Sequence, residues 1–411
     1  MKGKEEFLEE LFHETMQYEE QHFSQFATKN SSAYRTNSEY KKRLRGPFAI
    51  DRDRILYAGA YRRYQGKTQV VYFSNLFDEE MSNRSLHTTY VSQVARSIGK
   101  ILRLNVELIE AIALGHDLGH PPFGHDGEEM LNECCIKHKI GGFHHNVESL
   151  HIIDHISNGG KGLNLTFQVR DGIISHDGEV HDEKLYPNRK KTEQDIQRFI
   201  KDMKKGDATT IPATLEGCVV RISDTIAYIG QDIEDAIRLG FLTRDELPKD
   251  ATQKLGSTNN EIVNTLITSV VLNSYDNDYV AFDKETSDAL YRLKKFNHQK
   301  IYTHSKIKEA KQIIRRGMHI LFEKYLIDLK ENRKESKIFL QFLNHKNKEY
   351  RSNYNEPEKV RDFIATMTDR YFNQELKDYL IPERTEDHYK IKILDRCVHY
   401  KNPLNTRKTQ K

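Results

Sequence analysis

The chain has 411 residues, of which 37% are hydrophobic and 30% are charged, and its formal net charge is +3. This length predicts two to three domains or one large helical core with additions. The near-neutral balance argues against a dedicated nucleic-acid binder, and no apolar run approaches the ~18 residues of a membrane helix. The first residues lack the apolar segment of a signal peptide, and the four cysteines have neither disulfide nor zinc spacing. We therefore expect a cytoplasmic protein without a membrane partner.

The hydrophobic pattern predicts a mainly α-helical fold. Residues 1–30 have the pattern of an amphipathic helix, which leads into a basic loop at YKKRLR. The stretch KTQVVYF, which begins at Lys67, clusters β-branched and aromatic residues and predicts a short β-hairpin that ends near MSNRS. From His87 onward, apolar residues recur at the three- and four-residue spacing of a helix.

Capping residues and prolines mark the next helix. Asn105 is a favourable N-cap, and the helix is expected to run through ELIEAIALGHDLG and to end near Gly119, before two prolines that cannot continue it. Another long helix is expected over residues 213–239. Residues 158–190 and 203–212 are rich in glycine and polar residues and are expected to be connections.

These elements suggest four parts along the chain. A helical segment is expected over residues 1–34, and a helical core that carries the chemistry over residues 35–245. A C-terminal helical region follows over residues 246–400, and a basic tail over residues 401–411.

The stretch HDLGHPPFGHDGE concentrates three histidines and three acidic residues directly after a helix. His87 falls on the apolar face of its helix, and His116, with Asp117 beside it, falls on the apolar face of the next. Asp224 adjoins the apolar stripe of the long helix. An acid in such a place is costly to bury unless it is paired or binds a metal. Two imidazoles and two carboxylates therefore predict a site for a divalent cation, with positions left for water and a phosphate oxygen.

Several longer motifs carry a family resemblance. They occur in this order: DRDRILYAGAYRRYQGKTQV, HDLGHPPFGHDGE, GGFHHNVESL, GLNLT, SDTIAYIGQDIEDAI and VRDFIATMTDRY. Together they resemble the HD superfamily of metal-dependent phosphohydrolases and, within it, the deoxyguanosine triphosphate triphosphohydrolase-like branch. The resemblance extends from about residue 35 to residue 375. It implies an HD-type helical core and a divalent ion, Mg²⁺ or Mn²⁺, with another transition metal also open.

The resemblance also implies roles for individual residues. The metal ligands implied are His87, His116, Asp117 and Asp224. The catalytic residues implied are His125, its acidic partner Glu128, and His120. The residues implied to bind substrate are Arg84, His145, Asn146, Tyr228, Asp232 and, on weaker matches, Lys294 and Arg62 or Arg63. A structural reading stays open for some of them, because His120 and His145 could support neighbouring residues and Tyr228 could belong to the core.

The implied reaction is hydrolysis of a deoxynucleoside triphosphate, with dGTP foremost, at the α-phosphate to give the deoxynucleoside and intact triphosphate. Spacing alone does not choose this regiochemistry. The family also implies a homo-oligomer, a tetramer or hexamer, and leaves a regulatory nucleotide open. Tyr57, His144 and Thr225 depart from the family's usual residues, which leaves the preferred base open.

Two other functions remain as alternatives. The first is a different HD phosphohydrolase, such as a nucleotidase or a cyclic-nucleotide or alarmone hydrolase. The second is a non-catalytic binder of nucleotides or single-stranded DNA, which would use the basic segment and its interleaved tyrosines. Weak binding of single-stranded DNA also stays open for an enzyme.

Overall fold

The fold is built from α-helices, as the sequence predicts. The structure, a computed structural model, describes residues 2–39, 44–69, 82–178, 184–206 and 208–381. Within these ranges there is no sheet, and strand pairing consists of two isolated antiparallel bridges, Thr68–Asn83 and Leu185–Val280. The predicted β-hairpin falls mostly on residues 70–81, which lie outside the described residues. Among the described helices, none combines the length and hydrophobicity needed to cross a bilayer.

The helices follow one another closely along the chain. Those before residue 204 are α1 (Lys2–Gln21), α2 (Pro47–Tyr57), α3 (Gly59–Arg63), α4 (Arg84–Ile101), α5 (Val106–Gly115), α6 (Gly124–Lys137), α7 (His145–His151), α8 (Ser157–Gly160), α9 (Phe167–Ile174) and α10 (Glu193–Met203). Those after it are α11 (Leu215–Arg238), α12 (Lys249–Leu255), α13 (Asn259–Ser274), α14 (Lys284–Asn297), α15 (Ser305–Lys330), α16 (Lys348–Asn353), α17 (Glu356–Ala365) and α18 (Asp369–Leu380).

The chain up to Phe372 forms one compact unit, and a second unit begins at Asn373. Within the first unit, α4, α5 and α11 pack against one another, while α2 and α9 pack against α5. Each of the three central helices buries an apolar stripe, through Val91 and Ile98, Leu108 and Ile112, and Ile222 and Ile226. Removal of these side chains from water is the main driving force for this packing. The division of the chain near residue 245 stays a prediction.

The start of α5 is fixed by a buried network of hydrogen bonds. The side chain of Asn105 accepts a hydrogen bond from the backbone N–H of Leu108 at 3.2 Å, so the predicted N-cap is confirmed. Its amide donates to the carbonyl of Thr28 at 2.9 Å. Glu216, at the start of α11, accepts from the backbone N–H groups of Thr28 (2.8 Å) and Asn105 (3.1 Å) and from the Thr28 hydroxyl. One carboxylate therefore joins the N-terminal segment, α5 and α11.

The regular part of α5 ends at Gly115, four residues earlier than predicted, and turns continue to Gly119. The chain turns there because it passes very close to α7. A Cβ atom on Gly119 would lie 2.1 Å from the carbonyl oxygen of His145 and 2.2 Å from the backbone nitrogen of Ser149. The Ser149 hydroxyl accepts from the Gly119 N–H at 2.8 Å and donates to the His116 carbonyl at 2.7 Å. The predicted metal residues therefore lie in a turn that α7 holds.

One predicted connection is wrong in part. Residues 158–190 contain the helix α9, which packs against α5 and α11. Its eight residues include two buried charges, which hid its apolar pattern in the sequence. The structure pairs both of them, Arg170 with Asp154 and Asp171 with Lys191. Charged side chains can be buried at acceptable cost when they are paired in this way.

The close approach at Gly119 gives a test of the fold. We expect Gly119→Ala to lower the free energy of unfolding by about 1–3 kcal/mol, the usual cost of inserting atoms where no space exists. The matched control is Gly206→Ala, because a Cβ there meets nothing within 4 Å. That variant should stay within about 0.5 kcal/mol of the parent in urea unfolding. Equal stabilities of the two variants would contradict the tight packing of this turn.

Candidate active site

Three helices bring the four side chains that were predicted to bind a metal to one point. His87 comes from α4, His116 and Asp117 follow α5, and Asp224 lies on α11. The Nε2 atom of His87 lies 3.0 Å from Oδ1 of Asp224 and 3.7 Å from Oδ2 of Asp117. The Nε2 atom of His116 lies 3.5 Å from Asp117 and 3.8 Å from Asp224. The four predicted residues therefore form one cluster, which we call the HD cluster.

The HD cluster has the donor set that a divalent cation needs. The Nδ1 atom of His116 donates to the Ala113 carbonyl at 2.7 Å, which leaves Nε2 as the atom with a free lone pair. That Nε2 is buried and has no hydrogen-bond partner among the described residues. Burial opposes ionisation of Asp224, but the hydrogen bond and charge of His87, together with the charge of His116, outweigh burial and hold the pKa of that carboxyl well below its usual range. The cluster could therefore hold a divalent cation.

A cavity of about 380 Å³ lies over the HD cluster. The predicted site residues that line it are Arg84, His87, Asp117, His120, His125, His145, Asp224, Tyr228 and Asp232. Both polar and aromatic side chains contribute, as in most small-molecule sites. Most of the predicted site therefore faces one space.

Three histidines and a glutamate form a row beside the cluster. The rings of His120 and His145 stack, with centroids 4.0 Å apart. Glu128 lies between His125 and His145 and contacts the Nδ1 atom of each, at 3.2 Å and 3.0 Å. The side chain of His125 is 75% exposed, so its ring can meet a molecule in the cavity. The carboxylate therefore orients two histidines that face the same space.

The members of this row are expected to carry different charges. Burial opposes a charge on His145, but the Glu128 carboxylate beside it outweighs burial and raises the pKa of His145 to about 9. Burial and the nearby Arg84 guanidinium hold the pKa of His120 well below its usual value. At neutral pH, His145 is therefore an imidazolium and His120 a neutral imidazole.

Arg84 gives the cavity a buried cation. It opens α4, its side chain is 1% exposed, and one Nη atom forms an ion pair with Asp117. Its Nε atom and second Nη atom have no hydrogen-bond partner among the described residues. Guanidinium N–H groups in this state suit the oxygens of a phosphate.

The far wall of the cavity continues along α11. Tyr228 and Asp232 lie one and two helical turns beyond Asp224. Asp232 accepts a hydrogen bond from the Tyr302 hydroxyl at 2.5 Å, and burial raises the pKa of its carboxyl to about 7. The ammonium of Lys294 lies 5.9 Å from the centroid of the Tyr228 ring. This wall offers an aromatic surface and a hydrogen-bonding acid.

Some predicted residues do not line the cavity. Arg62 is exposed and absent from the lining, and Lys294, whose ammonium contacts the Tyr228 ring, is absent from it too. Asn146 is buried, and its amide donates to the carbonyl of Ile174 at 3.0 Å. Burial lowers the pKa of Arg63 to about 10, and this residue is also absent from the lining.

Several residues of the cavity were missed in the sequence, among them His176 and Gln69. His176 is buried, with its Nε2 atom 3.2 Å from Nε2 of His145 and 3.8 Å from Oδ1 of Asp117. The polar run SHDG directly after an apolar stretch could have indicated this histidine, but the sequence analysis interpreted the preceding helix α9 as a connection. Gln69 also lines the cavity, and only its place two residues after Lys67 in GKTQV hinted at it.

Comparison with known proteins agrees with this site. The HD domain matches residues 84–228, which contain the whole HD cluster, and a phosphohydrolase-associated domain matches residues 280–378. The fold and the site are those of an HD-domain phosphohydrolase.

Curated relatives narrow the class. A deoxyguanosinetriphosphate triphosphohydrolase-like protein of Caldanaerobacter subterraneus is 37% identical over 360 residues, which cover 87% of this chain and 92% of the relative. Proteins with the same description from Clostridium perfringens (36% identical; 86% and 92% covered) and a Caulobacter species (33% identical; 82% and 91% covered) are also similar. The chain belongs to the deoxyguanosinetriphosphate triphosphohydrolase-like family.

The Glu128–His145 pair predicts a pH dependence. Because the pKa of His145 is raised to about 9, the pair's contribution to stability is complete below the unfolded pKa of about 6.5 and is lost as pH rises through about 9. NMR of ¹³C-labelled histidine should show one ring that stays protonated well above pH 7. Glu128→Gln should lower that midpoint by at least about one unit. The exposed neighbour Glu129→Gln is the control, and equal midpoints in both variants would contradict the pairing.

Proposed function

We propose that this protein hydrolyses deoxynucleoside triphosphates, dGTP among them, at the α-phosphate to the deoxynucleoside and inorganic triphosphate. The observation that carries the proposal is the order of groups along one cavity. The HD cluster lies beside the free N–H groups of Arg84, and Tyr228 and Asp232 follow along α11. This order matches the order of phosphate and deoxyribose in a nucleotide. The printed description of the relatives supports the same substrate class.

The residues divide the chemistry between them. A divalent ion held by the HD cluster would supply a Lewis acid beside the α-phosphate. Arg84 binds phosphate oxygens through its free N–H groups. The oxygen of a water molecule bonds to the α-phosphorus, the bond from phosphorus to O5′ breaks, and O5′ takes a proton. His125, oriented by Glu128, is the exposed group that can transfer that proton.

The positive charge of the His145 imidazolium would also stabilise the negative charge of the bound phosphates. It is buried beside His120 and lines the cavity, so its positive charge faces the phosphates. His120, which stays neutral, can accept a hydrogen bond where His145 cannot. The two stacked rings therefore serve different purposes in the proposed reaction.

Product analysis tests the proposal directly. The protein is incubated with each of the four dNTPs and with GTP, in Mg²⁺ or Mn²⁺, and the products are separated by anion-exchange chromatography. We expect deoxyguanosine and triphosphate from dGTP. A monophosphate or pyrophosphate as product would favour another HD phosphohydrolase. Salt-dependent binding to single-stranded DNA without turnover of any nucleotide would favour the non-catalytic alternative.

The proposed placement of the sugar beside Tyr228 and Asp232 predicts selectivity for deoxyribose over ribose. A tyrosine ring packed against C2′ leaves no room for a 2′-hydroxyl, and Asp232 can accept a hydrogen bond from the 3′-hydroxyl. We therefore expect dGTP to be hydrolysed at least about tenfold faster than GTP, since steric exclusion or an unpaired hydroxyl discriminates strongly. Tyr228→Ala should narrow the ratio of kcat/KM, whereas Tyr228→Phe, which keeps the ring, should preserve it. Equal rates on both nucleotides in the parent protein would refute the placement of the sugar.

Two variants separate metal binding from proton transfer. Asp117→Ala should lose bound metal, measured by mass spectrometry after dialysis, and all turnover. His125→Ala should keep its metal and its nucleotide affinity while kcat falls by about 10²–10⁴, the range for a general acid or base. Loss of metal in His125→Ala would make His125 a ligand, and an active, metal-loaded Asp117→Ala protein would remove Asp117 from the site.

A further inference from the structure

The backbone of the loop from His120 to Gly124 is held by groups far away in the sequence. Lys67 is 3% exposed, and its ammonium donates to the carbonyl of His120 and to the carbonyl of Ala365 at 2.8 Å. Ala365 is the last residue of α17, whose final carbonyls have no partners within the helix. One buried lysine therefore joins this loop to the end of a C-terminal helix.

A second group holds the other end of the same loop. Asp369, at the start of α18, accepts from the backbone N–H of Phe123 at 3.0 Å. It also accepts from the backbone N–H of Thr68 at 3.0 Å and from the Thr68 hydroxyl. The Phe123 ring meets the Phe372 ring edge to face, with centroids 5.1 Å apart. Lys67 and Asp369 thus hold the loop between two sequence-distant segments.

The loop needs such support because of its backbone conformation. Phe123 has φ of 69°, in the left-handed region that residues other than glycine rarely adopt. His120 lies three residues before it and His125 two residues after it, and their ring centroids are 4.8 Å apart. A rotation at Phe123 would move the two histidines relative to each other.

We propose that Lys67 and Asp369 are positioning residues, which fix the loop from His120 to Gly124 so that His120 and His125 face the substrate together. Neither residue lines the cavity, and both bind backbone atoms of the loop, so they act through its conformation. Ala365, Asp369 and Phe372 fall within the match to the phosphohydrolase-associated domain. One role of that region is therefore to hold the catalytic loop. This inference rests on the proposed function, since it takes the two histidines to act on the nucleotide.

Lys67→Met and Asp369→Asn test the proposal by two independent readouts. The first removes the donating Nζ group at similar length, and the second replaces one carboxylate oxygen by an NH2 group, which donates hydrogen bonds and cannot accept them. With dGTP and Mn²⁺, each should lower kcat about 10- to 100-fold, since small misplacements of catalytic groups have such effects, while KM changes less than about threefold. Hydrogen–deuterium exchange of the full-length proteins should be at least about tenfold faster in peptides that cover residues 118–125. Bound Mn²⁺ should equal that of the parent.

The matched control is Lys346→Met. Lys346 is also a partly buried lysine that donates to a backbone carbonyl, but that carbonyl belongs to Ile156, at 2.6 Å, and not to the loop. It should leave kcat and the exchange of residues 118–125 unchanged. The double variant should lose little more kcat than either single variant, because both residues hold one loop.

Several results would overturn the proposal. Parental kcat in Lys67→Met or Asp369→Asn, or unchanged exchange at residues 118–125, would show that the loop does not depend on these bonds. Fully additive losses of kcat would show that the two residues act separately. If one variant fails to fold, the other still decides. The exchange measurement needs no substrate, so it stands even if the parent protein hydrolyses no dNTP, an outcome that would refute the proposed function alone.

Discussion

Placing two aspartates, the buried Asp117 and the partly buried Asp224, at the meeting point of three helices is the constraint on which the rest of this structure depends. A carboxylate taken out of water is costly unless cations or hydrogen-bond donors surround it. Here Asp117 faces Arg84, His116 and His120, and Asp224 faces His87. The same partners that make burial tolerable also keep both carboxylates ionised. The stability of the helical core and the capacity to hold a cation therefore come from one arrangement of charges.

That arrangement also explains why the neighbouring loop is so tightly packed. Asp117 meets Arg84, His116 and His120 where the chain leaves α5 in a sharp turn against α7, and Gly119 in this turn leaves no room for a side chain. After the prolines, the left-handed Phe123 redirects the chain into α6, which carries His125 and Glu128. The positions of His125 and Glu128 are therefore set by the path of the backbone around the HD cluster.

Local signals predicted a large part of this. The helical spacing around His87 and Asp224 placed both on inward faces, and the Asn105 cap fixed the start of α5, because caps and periodicity act within one or two turns. The end of α5 was predicted less accurately, because prolines limit a helix without fixing its last residue. The convergence of the four predicted metal ligands was inferred from the helix faces, and the family resemblance implied their roles.

What the sequence did not reveal depends on distant partners. His176 reaches the cavity because α9 forms, and α9 forms because Asp154 and Lys191 neutralise its charges. Lys67 and Asp369 are about three hundred residues apart, and neither belongs to a pattern that spacing can detect. Such contacts follow from the packed fold, whereas the motifs reflect the chemistry directly.

The N-terminal segment does not line the cavity, but it supports the site through Glu216. Its buried carboxylate accepts two hydrogen bonds from Thr28 and one from Asn105. Without the N-terminal segment, this acid at the start of α11 would keep only one of these three donors. Burial already raises its pKa, so it would then tend to take up a proton. The N-terminal segment therefore acts as an electrostatic support for the same helix that carries Asp224.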